Sequence, residues 1–94
     1  NPSKMIEALS GGWADSKILQ THGIRMINKD FFPRGKTTTQ LKDMTNIVNA
    51  GKVADLHLPI SSLIKEMYKN LVEDGLGNTD HSSLYTAIEK LNKK

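Results

Sequence analysis

The chain contains no cysteine, which excludes a disulfide framework, cysteine-ligated zinc and thiol catalysis, and is compatible with a reducing setting such as the cytoplasm. No apolar run approaches the ~20 residues that span a bilayer, and the first residues show neither a signal nor a transit pattern, so a soluble protein is expected. A dominant charge is also missing. Thirteen basic against ten acidic residues leave +3, too slight a balance to define a nucleic-acid face. No window keeps the period-2 alternation of a half-buried strand for more than a few residues, and no segment repeats another. His22, His57 and His81 are far apart and fall in no metal-ligand spacing, so each reads as an ordinary surface or loop residue and no metal site is expected.

What is present reads as helix. Ninety-four residues allow one modest core, and the 37% hydrophobic and 24% charged fractions are those of a globular chain slightly short of apolar residues. Asn1-Pro2 predicts a helix start, with Asn as cap and Pro at the first helical position. Met5, Ile6, Ala8 and Leu9 give that helix an apolar side, and Gly11-Gly12 ends it. Trp13 to Gln20 reads as a second short helix that buries Trp13, Ile18 and Leu19 and stops at Gly23, with Ile24 to Asn28 as one further turn. Lys29 to Gly35 is a loop around Pro33.

From Thr37 to Ala50, Leu41, Met44, Ile47 and Val48 fall at helical spacing, and Gly51 stands where a C-terminal cap belongs. The strongest period is Ile60, Leu63, Ile64, Met67, Tyr68, Leu71 and Val72, which predicts a helix from Pro59 to Asp74 with Gly75 past its end. A polar turn from Gly75 to Asp80 then leads into a last helix carrying Leu84, Ala87, Ile88 and Leu91, capped by Asp80 or Ser82 and fraying at Lys93-Lys94. The expected class is all-α, an irregular bundle of five or six helices in a single domain.

Few residues carry chemistry. Ser61-Ser62 and Ser82-Ser83 sit at expected helix starts and read as caps. Gly11-Gly12 could offer backbone N–H groups to an anion, but without a preceding strand tight helix packing is the better reading. Lys42 and Asp43 lie in the middle of the third helix about 100° apart, off the line of Leu41, Met44 and Val48. Composition alone makes them a solvated face. The alternative is that Lys42 faces a cleft where its ammonium meets a phosphate, ribose or carboxylate.

Taken in order, Leu9-Ser10-Gly11-Gly12-Trp13-Ala14-Asp15-Ser16, Asp30-Phe31-Phe32-Pro33, Leu41-Lys42-Asp43-Met44, Leu58-Pro59-Ile60 and Gly75-Leu76-Gly77-Asn78-Thr79-Asp80-His81-Ser82 resemble the C-terminal domain of the β-hydroxyacid dehydrogenase family. That family includes the 3-hydroxyisobutyrate dehydrogenase and tartronate semialdehyde reductase types. The resemblance implies a fold like the C-terminal domain of 6-phosphogluconate dehydrogenase. It also implies NAD or NADP as cofactor, a small hydroxyacid or semialdehyde as substrate, and a homo-oligomer.

By the resemblance Lys42 is a cofactor-binding residue and Asp43 supports the site. No catalytic residue is expected within the chain, because the family's catalytic lysine and a nearby asparagine lie on an interdomain helix that would precede Asn1. The chain is accordingly read as a piece of a longer protein whose Rossmann domain lies upstream. Gly35 departs from the aromatic residue that many relatives carry after the Asp-Phe-x-Pro segment. The competing reading is a free-standing helical interaction module, with nucleic acid the first partner to test.

Overall fold

The computed structural model describes residues 1–93; the fraying expected at the terminus extends to Lys94, which lies outside the described residues. Among the described residues there are five α-helices and no strand beyond an isolated bridge between Lys36 and Asp80. The all-α class therefore holds. The chain divides into two compact units, Asn1 to Phe31 and Phe32 onward.

The first unit pairs α1 (Pro2–Leu9) with α2 (Lys17–Asn28). Asn1 caps α1 as its position suggests, its side chain accepting the Ser3 N–H at 3.0 Å, a contact worth about 1 kcal/mol. The second helix differs from its sequence reading. It begins at Lys17, because Ser16 takes the cap position and accepts the Leu19 N–H at 2.9 Å. Trp13 is left in the preceding turn at 107% relative exposure, and Ile18 is also exposed.

Gly23 does not end α2, which runs through it to a left-handed Lys29. A helical glycine costs about 1 kcal/mol against alanine. It is kept here by close packing, since a Cβ at Gly23 would lie 2.7 Å from Ile6 Cδ1, and Ile6 is the buried apolar residue of α1.

The second unit contains α3 (Thr37–Val53), α4 (Pro59–Leu71) and α5 (Leu84–Leu91). On α3 the residues Thr37, Met44, Val48 and Gly51 are buried and Leu41 is half-buried, one stripe at helical spacing. Gly51 is inside the helix and not its cap. A Cβ there would meet Leu58 Cδ1 at 2.7 Å, so glycine lets the chain return closely before α4.

The fourth helix ends sooner than its apolar period implies. At Leu71 it passes into a single π-helical turn, Val72–Leu76, which closes at Gly75 with φ of 90°, a conformation open to glycine at little steric cost. Ser61 and Ser62 do not cap α4, whose start has no side-chain cap. Met44, Tyr68 and Leu71 form the core of this unit, with Leu41, Ile64, Leu76 and Leu84 packed against them.

Candidate functional site

α3 has two chemically different faces. Opposite its buried stripe it exposes Thr38, Thr39, Lys42, Asn46 and Asn49, of which Thr38, Lys42, Asn46 and Asn49 recur at three- and four-residue steps and so share a side of the helix. This face offers hydroxyls, amides and one ammonium. Asp43 is exposed too, on the adjoining side. The structure therefore leaves Lys42 accessible to a ligand and places Asp43 beside it on the backbone.

The start of α3 is held in an unusual way. Lys36 occupies the cap position but supplies no side-chain cap. The Thr37 and Thr38 N–H groups instead donate to the carbonyls of Thr79 at 2.9 Å and Gly77 at 3.1 Å, so the orphan donors of the first turn are satisfied from a distant turn. The Thr37 hydroxyl, fully buried, donates to Thr79 O at 3.1 Å and lies 3.4 Å from Ser83 Oγ. Ser83 Oγ is in turn 2.8 Å from Thr79 Oγ1.

Asp80 closes this arrangement. Its side chain is wholly buried, and it accepts the N–H groups of Arg34 and Gly35, each at 3.1 Å, the Ser82 N–H at 3.2 Å, and the Ser82 hydroxyl. Burial works to raise the Asp80 carboxyl, but the Ser82 hydroxyl and the N–H groups of Gly35, Arg34 and Ser82 outweigh it and hold the group well below the usual carboxylate range. The same turn engages Tyr68, whose hydroxyl donates to His81 O at 3.1 Å. Burial first, and the Asp80 charge second, push that phenol up.

Some residues here keep the roles their sequence positions suggest and others depart from them. Asp80 is the cap of the 3₁₀ turn His81–Ser83 that precedes α5, as one of the two candidates; Ser82 donates to it and Ser83 is buried. His81 is no ordinary surface residue. Its N–H donates to Gly35 O at 2.7 Å, and its ring lies 3.2 Å from where a Cβ at Gly35 would stand. The Gly11 N–H is not available to a ligand, because the Asp15 carboxylate accepts it at 2.7 Å. Gly11 serves its φ of 77° and not tight packing, since a Cβ there would meet nothing within 4 Å. Among the described residues no group of three or more His, Cys, Asp or Glu could hold a metal.

Phe32-Pro33 with the following Arg34-Gly35, the Gly75 to Ser82 run and the start of α3 meet at this junction, within an all-α architecture. The family model described as the NAD-binding part of NADP-dependent 3-hydroxyisobutyrate dehydrogenase matches residues 1–88. The chain belongs to this family. It is 35% identical to the 2-hydroxy-3-oxopropionate reductase of Escherichia coli (strain K12) over 95% of its own length and 30% of that protein's. It is 33% identical to a probable 3-hydroxyisobutyrate dehydrogenase-like protein of Arabidopsis thaliana, covering 95% of this chain and 27% of the relative. The chain thus spans about a third or less of these relatives. The fold matches that of a 3-hydroxyisobutyrate dehydrogenase from Salmonella typhimurium with a TM-score of 0.85 at 19% identity, over 92% of this chain and 30% of that one. No helix among the described residues is long and apolar enough to cross a membrane.

Proposed function

We propose that this chain is the C-terminal helical part of an NAD- or NADP-dependent dehydrogenase acting on a small hydroxyacid or the matching semialdehyde. The observation that carries the reading is the family match over residues 1–88; the names of the relatives support the substrate class. Their greater length supports a further part of the protein that holds the dinucleotide fold and the catalytic lysine. The cysteine-free composition is compatible with a cytoplasmic enzyme.

The donor set of the exposed α3 face fits a dinucleotide. Lys42 brings a compact positive charge on a flexible stem, suited to a phosphate or ribose oxygen, and its neighbours on that side are hydroxyl and amide donors. The nicotinamide cofactor, when bound, supplies the hydride acceptor or donor. Lys42 holds and orients it, and Asp43 supports the site from the adjoining residue. No catalytic residue is assigned within the chain.

In the full-length enzyme, Lys42→Ala is expected to raise the KM for the dinucleotide about 10-fold, the scale of one lost charge-assisted hydrogen bond, with helicity unchanged because an exposed helical Lys→Ala substitution is nearly neutral for folding. Wild-type steady-state kinetics would return Lys42 to a solvated surface residue.

Association belongs to the same reading. Ile60 and Leu63 on α4 and Leu91 on α5 are 77%, 60% and 77% exposed, and Met67, Ala87 and Leu91 line a 360 Å³ groove. Such a face supports a homo-oligomer. Ile60, Ile64, Met67 or Leu71 are expected among the contacts, Leu71 from the floor of that groove at 2% exposure. Sedimentation equilibrium at tens of micromolar is expected to show a dimer or larger; a concentration-independent 10.4 kDa species overturns this.

A further inference from the structure

We infer that the turn from Gly77 to Ser83 positions the cofactor-facing end of α3, with Asp80 as its lock and the contact between Gly77 and Thr38 as its gauge. The inference rests on the cofactor reading of Lys42 given above. α3 brings no capping side chain of its own, so the place where the helix begins is set by the carbonyls of Gly77 and Thr79 that receive its first two N–H groups. The Asp80 carboxylate fixes the approach by gripping the two preceding N–H groups, those of Arg34 and Gly35. Lys42 and Thr38 are one helical turn apart on the same side, so a shift at the first turn is carried to the ammonium by a rigid element.

Gly77 reveals how tight the seat is. Its backbone, at φ of −61° and ψ of −30°, is open to any residue, so conformation does not explain the glycine. A Cβ there would stand 2.9 Å from Thr38 Cγ2, while Val72 Cγ1 at 3.5 Å is in ordinary contact. Alanine at 77 therefore crowds the first turn of α3 at one methyl group, the Cγ2 of Thr38, and removing that methyl should relieve the contact.

The test is a three-variant comparison in the full-length enzyme. Gly77→Ala is expected to weaken dinucleotide binding about 5- to 10-fold, read as the Kd from calorimetric titration of the substrate-free protein and as a matching rise in KM, since misplacement of a binding group by a fraction of an ångström carries a cost of this order, with a smaller change in kcat. Thr38→Ser, which lacks Cγ2 but keeps the hydroxyl, is the baseline for the double variant: Gly77→Ala with Thr38→Ser should lie close to Thr38→Ser alone, so that most of the Gly77→Ala loss disappears with the methyl. Asp80→Asn should raise the same KM if it folds; the glycine series carries the test if it does not. A Gly77→Ala enzyme with unchanged KM, beside a Lys42→Ala enzyme whose KM has risen, overturns this inference alone. Failure of Thr38→Ser to rescue also overturns it, because the loss would then be general destabilisation. Unchanged kinetics for Lys42→Ala overturns the cofactor reading and the positioning claim with it.

Discussion

Two turns of this chain are built by the same device and differ in one respect. Around Gly11 to Ser16 the Asp15 carboxylate accepts the N–H of Gly11 at 2.7 Å, that of Ser16 at 2.8 Å and the Gln20 amide at 2.9 Å. Around Asp80 a carboxylate likewise gathers backbone N–H groups and a side-chain donor. Asp80, however, is wholly buried and two of its donors come from residues far away in sequence, whereas Asp15 ties together only its own neighbourhood. A carboxylate in water can lose its partners and be rehydrated; a buried one that is lost strands its donors. The first turn is thus local order, and the second is tertiary structure.

The sharpest way to break the comparison is Asp80→Ala. It leaves the part-buried N–H groups of Arg34 and Gly35 and the buried N–H and hydroxyl of Ser82 without their acceptor, and a stranded buried donor costs about 1–3 kcal/mol, a part-buried one less. A destabilisation of about 3 kcal/mol or more should lower the melting midpoint of a chain this size by more than about 10 °C, measured by circular dichroism. The pH dependence must agree in sign. Asp80 is held below its ordinary range in the folded chain, so its contribution is fully present above the unfolded carboxylate value near pH ~4 and is lost progressively as the pH falls below it. The acid limb of stability should therefore flatten in Asp80→Ala. An equal acid limb in both chains would show that Asp80 is not the group that holds the turn.

The contrast also marks what is legible in the sequence. Periodicity finds the bodies of α3 and α4, because Met44, Val48, Tyr68 and Leu71 repeat at the helical step and are buried, and that of α5, whose Leu84 and Ala87 are half-buried. It fails at ends. Gly23 and Gly51 read as stops but sit inside helices, since close approach by Ile6 and Leu58 is a tertiary fact that no local pattern displays. Trp13 reads as the buried start of a second helix, and the capping choice at Ser16 leaves it outside.

At the site, Lys42 stands out by resemblance, and its exposure agrees with that reading without deciding it. The hydroxyls of Thr37 and Ser83 give only a faint signal. Three threonines open a helix with no capping side chain before them, and a Thr-Asp-His-Ser run lies far downstream. Nothing in either pattern discloses that the second supplies the cap of the first.

The smallest expected effect is at the exposed turn, and it sharpens the comparison because the chemistry removed is the same. The Asp15 carboxyl is also held below its ordinary range, chiefly by the Gly11 N–H and then by the Gln20 amide, but water stands ready to replace either partner. Asp15→Ala should leave the global melting midpoint within about 3 °C of the parent chain, as surface substitutions do. Its effect should be local: amide exchange at Gly11 and Ser16, whose N–H groups lose the carboxylate, should quicken, while exchange at Arg34 and Gly35 stays as in the parent. A fall in midpoint matching that of Asp80→Ala would mean that the Gly11 turn, and the exposed Trp13 within it, are as necessary to the fold as the buried junction, and that exposure does not separate the two carboxylates.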